Sequence, residues 1–211
     1  MINCVKSVLK NGIKIKAIWR TQFAHCSTFL YFYPKNKGLK SILTEQQVAL
    51  SVKRLAHQVL EDHLGLQQTV LIGIQPRGIY LSDRIVHELE NLVNPAAIHY
   101  GKLDITFYRD DVRNSLHIPN ATDIPFNIEN KQVVIIDDVL WTGRTIRAAL
   151  DALQDFGRPA SVQLCVLIDR RFSREFPIQA DYVGKTIDTF PSQKVLVHWK
   201  EKHEMDEVVL M

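Results

Sequence analysis

Two adjacent carboxylates, Asp137 and Asp138, stand just ahead of a hydroxyl-rich turn, Thr142-Gly-Arg-Thr145. Neighbouring like charges repel, and a segment kept only for stability gains nothing from both. The vicinal hydroxyls of a sugar, each a donor, can use the two carboxylates as acceptors. The turn offers a different chemistry. Where such a turn opens a helix, its free backbone amides and the positive end of the helix dipole favour a phosphate dianion. Gly143 permits close backbone approach, and Thr142 and Thr145 add hydroxyl donors beside Arg144. One short stretch thus joins a reader of sugar hydroxyls to a phosphate cradle, and a ribose 5-phosphate satisfies both. A strand end followed by an N-capping threonine explains either half without a ligand, but not the two together. The spacing is neither Gly-x-x-x-x-Gly-Lys nor Gly-x-Gly-x-x-Gly, so it is not a Walker loop or a dinucleotide fingerprint.

The elements around this stretch must hold it. Val133–Ile136 reads as a buried strand whose carboxyl end delivers the aspartates to the crevice of an open α/β sheet. A helix follows through Phe156, stopped by Gly157-Arg-Pro159. Upstream, Thr44-Glu-Gln-Gln47 has the form of a capping box, and Val48, Val52, Leu55, Val59 and Leu60 fall at helical spacing, so 45–63 reads as an amphipathic helix. Thr69–Ile74 is a strand, and Gly78 opens a second helix with Leu81, Ile85, Val86 and Leu89 on one face. Between them lies Pro76-Arg77-Gly78. An arginine at a helix start opposes the dipole, a mismatch that marks Arg77 as functional rather than merely solvated.

Ala96–Leu103, Ser161–Ile168 and Val195–Trp199 read as further strands, and the polar stretch 108–130 as a long loop of the kind used for lids. Strands separated by helices imply βαβ units and a doubly wound, mostly parallel sheet flanked by helices.

The 211 residues are 46% hydrophobic and 23% charged, enough for one domain with a core. No apolar run reaches the roughly 20 residues of a membrane helix, so a membrane-spanning protein is not expected. Three cysteines, Cys4, Cys26 and Cys165, form no disulfide framework or Cys-x-x-Cys pair, and the histidines show no ligand spacing. A reducing cytoplasm is expected, with no metal ligand set supplied by the protein. The net charge of +3 is an average of unlike parts. Residues 1–40 hold eight Lys or Arg and no Asp or Glu, whereas 41–211 hold 18 basic against 23 acidic residues. The first 40 residues therefore read as a basic extension, poorly ordered or misassigned, a nucleic-acid arm being the alternative; the folded domain is expected over 41–211. No apolar run with a cleavage site marks a secretory signal there.

The motif Val133-Val-Ile-Ile-Asp-Asp-Val-Leu-Trp-Thr-Gly-Arg-Thr145 resembles the phosphoribosyl pyrophosphate motif of type I phosphoribosyltransferases. More closely, the chain from about Ile42 to Val209 resembles the PyrR family, bifunctional pyrimidine-operon attenuation proteins and uracil phosphoribosyltransferases. Four further segments carry that likeness: Ile72 to Tyr80, Leu103 to Asp111, Gly157-Arg-Pro159, and Ala180 to Lys185. The resemblance implies a type I phosphoribosyltransferase fold with a small hood region. It implies conversion of uracil and 5-phosphoribosyl 1-pyrophosphate to UMP and pyrophosphate, with Mg2+ carried on the diphosphate. Asp137 and Asp138 would hold the ribose hydroxyls, Thr142, Gly143, Arg144 and Thr145 would cradle the 5-phosphate, and Val139, Leu140 and Trp141 would complete the substrate-binding stretch. Pro76, Arg77 and Gly78 match the pyrophosphate loop, Arg109 a lid residue, and Arg170 and Val195 the base pocket.

The family's second implied activity is UMP-dependent binding of a pyrimidine-operon mRNA leader. Lys53, Arg54 and His57 share one helix face, Lys185 matches a family RNA-contact position, and Arg171 and Arg174 lie nearby. The chain departs from the pattern in Arg171-Phe-Ser-Arg-Glu175, one residue longer and without a histidine, and in Gln179 where arginine is usual. Readings kept open are an RNA-binding regulator with weak or no catalysis, a phosphoribosyltransferase for another base, and a nucleotide sensor. A homodimer or dimer of dimers is implied by the resemblance alone.

Overall fold

A computed structural model describes residues 40–110 and 119–211. The basic segment up to residue 39 and the lid stretch 111–118 lie outside the described residues. Five parallel strands form the main sheet, in the order β3-β2-β4-β5-β6. They are β2 (Thr69–Ile74), β3 (His99–Leu103), β4 (Gln132–Leu140), β5 (Ser161–Arg171) and β6 (Tyr182–Asp188). Three shorter strands, β1 (Lys40–Leu43), β7 (Val195–His198) and β8 (Glu207–Leu210), form a separate antiparallel sheet, β1-β8-β7.

Both faces of the main sheet are covered, so its central strands are apolar in continuous runs rather than alternating. Along β4, Val134 and Ile136 pack with α1 (Glu45–Asp62) and α2 (Gly78–Glu90), while Val133 and Ile135 pack with α3 (Arg144–Leu153) on the other side. The helix periodicity is realised. Val48, Val52, Leu55 and Val59 of α1 are buried, as are Leu81, Ile85, Val86 and Leu89 of α2. Thr44 caps α1 as a capping box, its side chain accepting from the Gln47 amide while its own amide donates to Gln47 Oε1 at 3.0 Å.

Several boundaries differ from the sequence reading; β4, expected over Val133–Ile136, runs on through the two aspartates to Leu140. The strand expected from Ala96 starts at His99, because Asn94 caps a short 3-10 turn, Pro95–Ala97, accepting from the Ala96 amide at 3.1 Å. The helix expected through Phe156 ends at Leu153 and tightens to a 3-10 turn, Gln154–Phe156. Strands β1 and β6 carry no continuous apolar run, and β8 only the short Val208-Val-Leu210. Edge strand β6 is held instead by close backbone approach: a Cβ on Gly184 would stand 2.4 Å from the Leu167 carbonyl oxygen. Part of the long polar stretch is tied back to the end of β3. Asp104 accepts from the Asn120 amide at 2.8 Å, and Lys102 and Asp123 exchange backbone bonds at 2.8 Å.

Candidate active site

Strand β4 ends where the sheet opens, and it carries the two aspartates there almost wholly buried, Asp137 at 6% exposure and Asp138 at 2%. The Asp138 amide donates to Asp137 Oδ1 at 2.9 Å. Burial, and then the charge of Asp138, push the Asp137 carboxyl well above the usual carboxylate range. Burial also raises Asp138, but the Arg77 guanidinium pulls it back, with Nε 3.5 Å from Asp138 Oδ2.

Arg77 is delivered by the turn between β2 and α2, where the Gln75–Pro76 peptide is cis. Its side chain makes no cap bond to the helix and is 64% exposed, so it leans over the aspartates with much of its surface open. Gly78 is required by packing: a Cβ there would lie 2.7 Å from the Ile136 carbonyl oxygen and 3.0 Å from Asp137 Oδ1. The helix start thus sits directly on the strand end that presents the carboxylates.

After Leu140 the chain turns through Trp141 and Thr142 into α3. Gly143, with φ +91°, is the residue from which that helix starts, in a backbone region that favours glycine. The first amides of a helix have no carbonyl one turn earlier to bond, so this turn exposes a group of donors. The Arg144 amide reaches Thr142 Oγ1 at 3.4 Å. Segment 174–178 closes the outside of the turn. The amides of Glu175 and Phe176 donate to the Thr142 carbonyl at 2.9 and 3.2 Å, and the Glu175 carboxylate pairs with Arg144 Nε.

On the other side Arg170 is buried at 3% exposure, which lowers its proton affinity. Its Nε donates to Thr189 Oγ1 at 3.0 Å, its Nη2 to the Gln193 carbonyl at 2.9 Å, and its guanidinium lies 4.6 Å from the Trp141 ring centre. Arg170 and Trp141 thus form a flat wall suited to a planar ring.

These groups enclose a cleft of about 450 Å³, a size suited to a nucleotide-scale ligand. Arg77, Arg109, Asp137, the whole run Val139–Thr145, Arg170 and Val195 line it, as the sequence reading expects. Asp138, Pro76 and Gly78 stand behind that lining and support it. Ile146, Glu175, Lys194 and Leu196 also line the cleft and escape the sequence reading. Arg171-Phe-Ser-Arg-Glu175 drew notice only as a departure; Lys194 and Leu196 arrive by tertiary folding of β7, flanking the expected Val195.

Lys53, Arg54, His57 and Lys185 do not line the cleft. Arg54 on α1 donates to the carbonyls of Val183 (3.2 Å) and Gly184 on β6, which brings it beside Lys185. Lys185 Nζ donates to the Ile42 carbonyl at 3.0 Å, and His57 Nδ1 lies 2.8 Å from the Lys53 carbonyl. Of the two nearby cations, Arg171 is paired with Asp188 at 2.7 and 2.9 Å, and Arg174 is turned inward. Among the described residues no three His, Cys, Asp or Glu side chains cluster as a metal cage, and none of the helices is long and apolar enough to cross a membrane. Asp137 and Asp138 are nonetheless hard oxygen donors at the cleft, the chemistry that suits Mg2+ shared with a phosphorylated substrate.

A phosphoribosyl transferase domain model matches residues 38–202. The bifunctional protein PyrR of Bacillus subtilis (strain 168) is 44% identical over 174 residues, covering 80% of this chain and 94% of that one. The bifunctional protein PyrR of Chloroflexus aurantiacus is 46% identical, covering 82% and 94%. Among solved structures, a hypoxanthine phosphoribosyltransferase from Staphylococcus aureus superposes with TM-score 0.57 and 26% identity, over 71% of this chain and 77% of that one. A hypoxanthine phosphoribosyltransferase from Trypanosoma cruzi, in a ternary substrate complex, gives TM-score 0.64 at 22% identity over 81% and 94%, a likeness of fold.

Proposed function

Because the chain belongs to the phosphoribosyl transferase domain family, and within it to the bifunctional PyrR proteins, we propose that it transfers a phosphoribosyl group to uracil. Uracil and 5-phosphoribosyl 1-pyrophosphate give UMP and pyrophosphate. One observation carries this reading: Asp137, with Asp138 directly behind it, the glycine-started phosphate turn and the Arg170–Trp141 wall meet in one cleft.

In this reading the 5-phosphate rests on the amides at the start of α3 and on the Thr142 and Thr145 hydroxyls. Ribose hydroxyls bond Asp137 and Asp138. Both carboxylates serve as acceptors for these hydroxyls. The base lies against Trp141 and Arg170, with Val195 beside it. Its N1 attacks the anomeric carbon as the bond to pyrophosphate breaks, N1 loses its proton, and the transition state has oxocarbenium character. Arg77 and, from the lid base, Arg109 stabilise the charge growing on the leaving pyrophosphate. Arg109 also helps keep water from the cation. When bound, Mg2+ neutralises diphosphate charge, and Asp137 and Asp138 are the residues that would hold it with the substrate's oxygens. Catalysis is then mostly positioning and electrostatics.

The second activity, UMP-dependent binding of an mRNA leader, is favoured by the position of Arg54 beside Lys185 on a surface apart from the cleft. The catalytic unit is residues 41–211 with residues 1–40 as its extension, the setting is cytoplasmic, and the assembly is a homodimer or dimer of dimers. Turnover with uracil, hypoxanthine and adenine in competition, with phosphoribosyl pyrophosphate and Mg2+, tests the main reading. UMP as the dominant product is expected; a purine nucleotide would transfer the site to another base, and no product would sink it.

A further inference from the structure

The phosphate turn rests on a segment that is itself fastened by one side chain. Arg174 spreads its guanidinium over five acceptors. Nη1 donates to the carbonyls of Leu140 (3.2 Å), Trp141 and Arg170 (2.9 Å), Nε to the carbonyl of Ile178 (3.1 Å), and Nη2 to the Asp169 carboxylate. The two carbonyls at 140 and 141 belong to the chain as it leaves β4 and enters the turn. The next amides in this segment, Glu175 and Phe176, both bond the Thr142 carbonyl. Phe176 and Ile178 pack on Gly143 so closely that a Cβ there would lie 3.3 Å from each. Residues 140–144 are thus held on one side by 174–178, with Arg174 as the tie.

Arg174 does not line the cleft, and its side chain is only 22% exposed. We propose that Arg174 is a positioning residue for phosphoribosyl transfer, fixing the turn Leu140–Arg144 so that its amides meet the 5-phosphate. The proposal rests on the phosphoribosyl-transfer reading above. A planar, five-donor guanidinium can serve diverging carbonyls at once, whereas a lysine ammonium is a point charge and serves fewer. The Arg170 guanidinium keeps its own anchors, Thr189 and Gln193, although Arg174 also bonds the Arg170 and Trp141 carbonyls. Losing Arg174 therefore loosens the phosphate side most, because the whole turn Leu140–Arg144 rests on its segment.

The test is steady-state kinetics of the full chain with Arg174→Gln and Arg174→Lys. Misplacing a binding group by an ångström costs up to about 100-fold, so a rise of about tenfold or more in KM for phosphoribosyl pyrophosphate is expected for Arg174→Gln. Arg174→Lys should recover part of it, and KM for uracil should rise less than KM for phosphoribosyl pyrophosphate. A merely structural defect lowers the active fraction and hence kcat, leaving KM unchanged; that result would overturn the proposal. If Arg174→Gln does not fold, Arg174→Lys carries the test. The rise in Tm caused by phosphoribosyl pyrophosphate with Mg2+ reads the cradle without turnover. It should shrink in the variants, and an undiminished rise counts against the role of Arg174. A wild-type protein that makes no UMP refutes the reaction instead, so the two failures are distinct.

Discussion

Asp137 is a group whose removal separates stability from function. It is 6% exposed and adjoins Asp138, so burial first and the neighbouring charge second make it hold its proton more tightly in the folded than in the unfolded chain. A carboxyl raised in this way stabilises the fold fully below its unfolded value, near pH 4, and that contribution is lost as pH rises through the folded value. At neutral pH the wild type therefore carries an electrostatic cost that Asp137→Asn lacks. Relief of such functional strain is worth about 1–2 kcal/mol. For a domain of this size that is a Tm increase of about 2–8 °C. The same change removes a charge-assisted bond to a ribose hydroxyl, worth about 1.5–3 kcal/mol, or roughly 10- to 150-fold in kcat/KM. Thermal melts of both proteins from pH 5 to 8, beside UMP assays, check this. The Tm gap in favour of the variant should widen as pH rises. A variant melting below wild type at pH 8, or a gap independent of pH, would refute the electrostatic reasoning.

Gly78→Ala would place a methyl 2.7 Å from the Ile136 carbonyl and 3.0 Å from Asp137 Oδ1, so it should lower Tm by several degrees, about 1–3 kcal/mol, and reduce UMP synthesis in activity assays. Gly143→Ala must hold φ +91° with a Cβ, at a cost of about 1–2 kcal/mol, and should raise KM for phosphoribosyl pyrophosphate more than KM for uracil. Arg54→Gln with Lys185→Gln should weaken leader-RNA binding in a gel-shift with UMP and flatten its salt dependence by about one to two phosphate contacts. The same double variant should leave UMP synthesis within about twofold, since neither residue lines the cleft.

What the sequence revealed and what it concealed divide along the reach of the interactions. The motif from Val133 to Thr145 is legible because strand, carboxylates, glycine and helix start are consecutive, and each states its role locally. The covered sheet is legible for the same reason: α1 and α2 repeat at helical spacing, and β2 and β4 are continuous apolar runs. Strands β1, β6 and β8 mix polar and apolar residues, and only pairing makes them strands. Arg174 looked like one more surface cation near Lys185, and nothing in its neighbours shows that its guanidinium turns back to carbonyls more than 30 residues earlier. Glu175, Lys194 and Leu196 reach the cleft through the same kind of long-range folding. The tighter hold of the aspartates on their protons likewise depends on burial, which the motif suggests but does not measure.

The central claim is that the buried aspartates of β4, with Arg77 delivered by the β2–α2 turn, form the phosphoribosyl site. The most direct measurement is UMP formation from uracil, phosphoribosyl pyrophosphate and Mg2+ by the double variant Asp138→Asn with Arg77→Ala, its fold checked by circular dichroism. The account predicts UMP synthesis in the wild type and none above background in a folded variant. A folded variant with wild-type activity would contradict it.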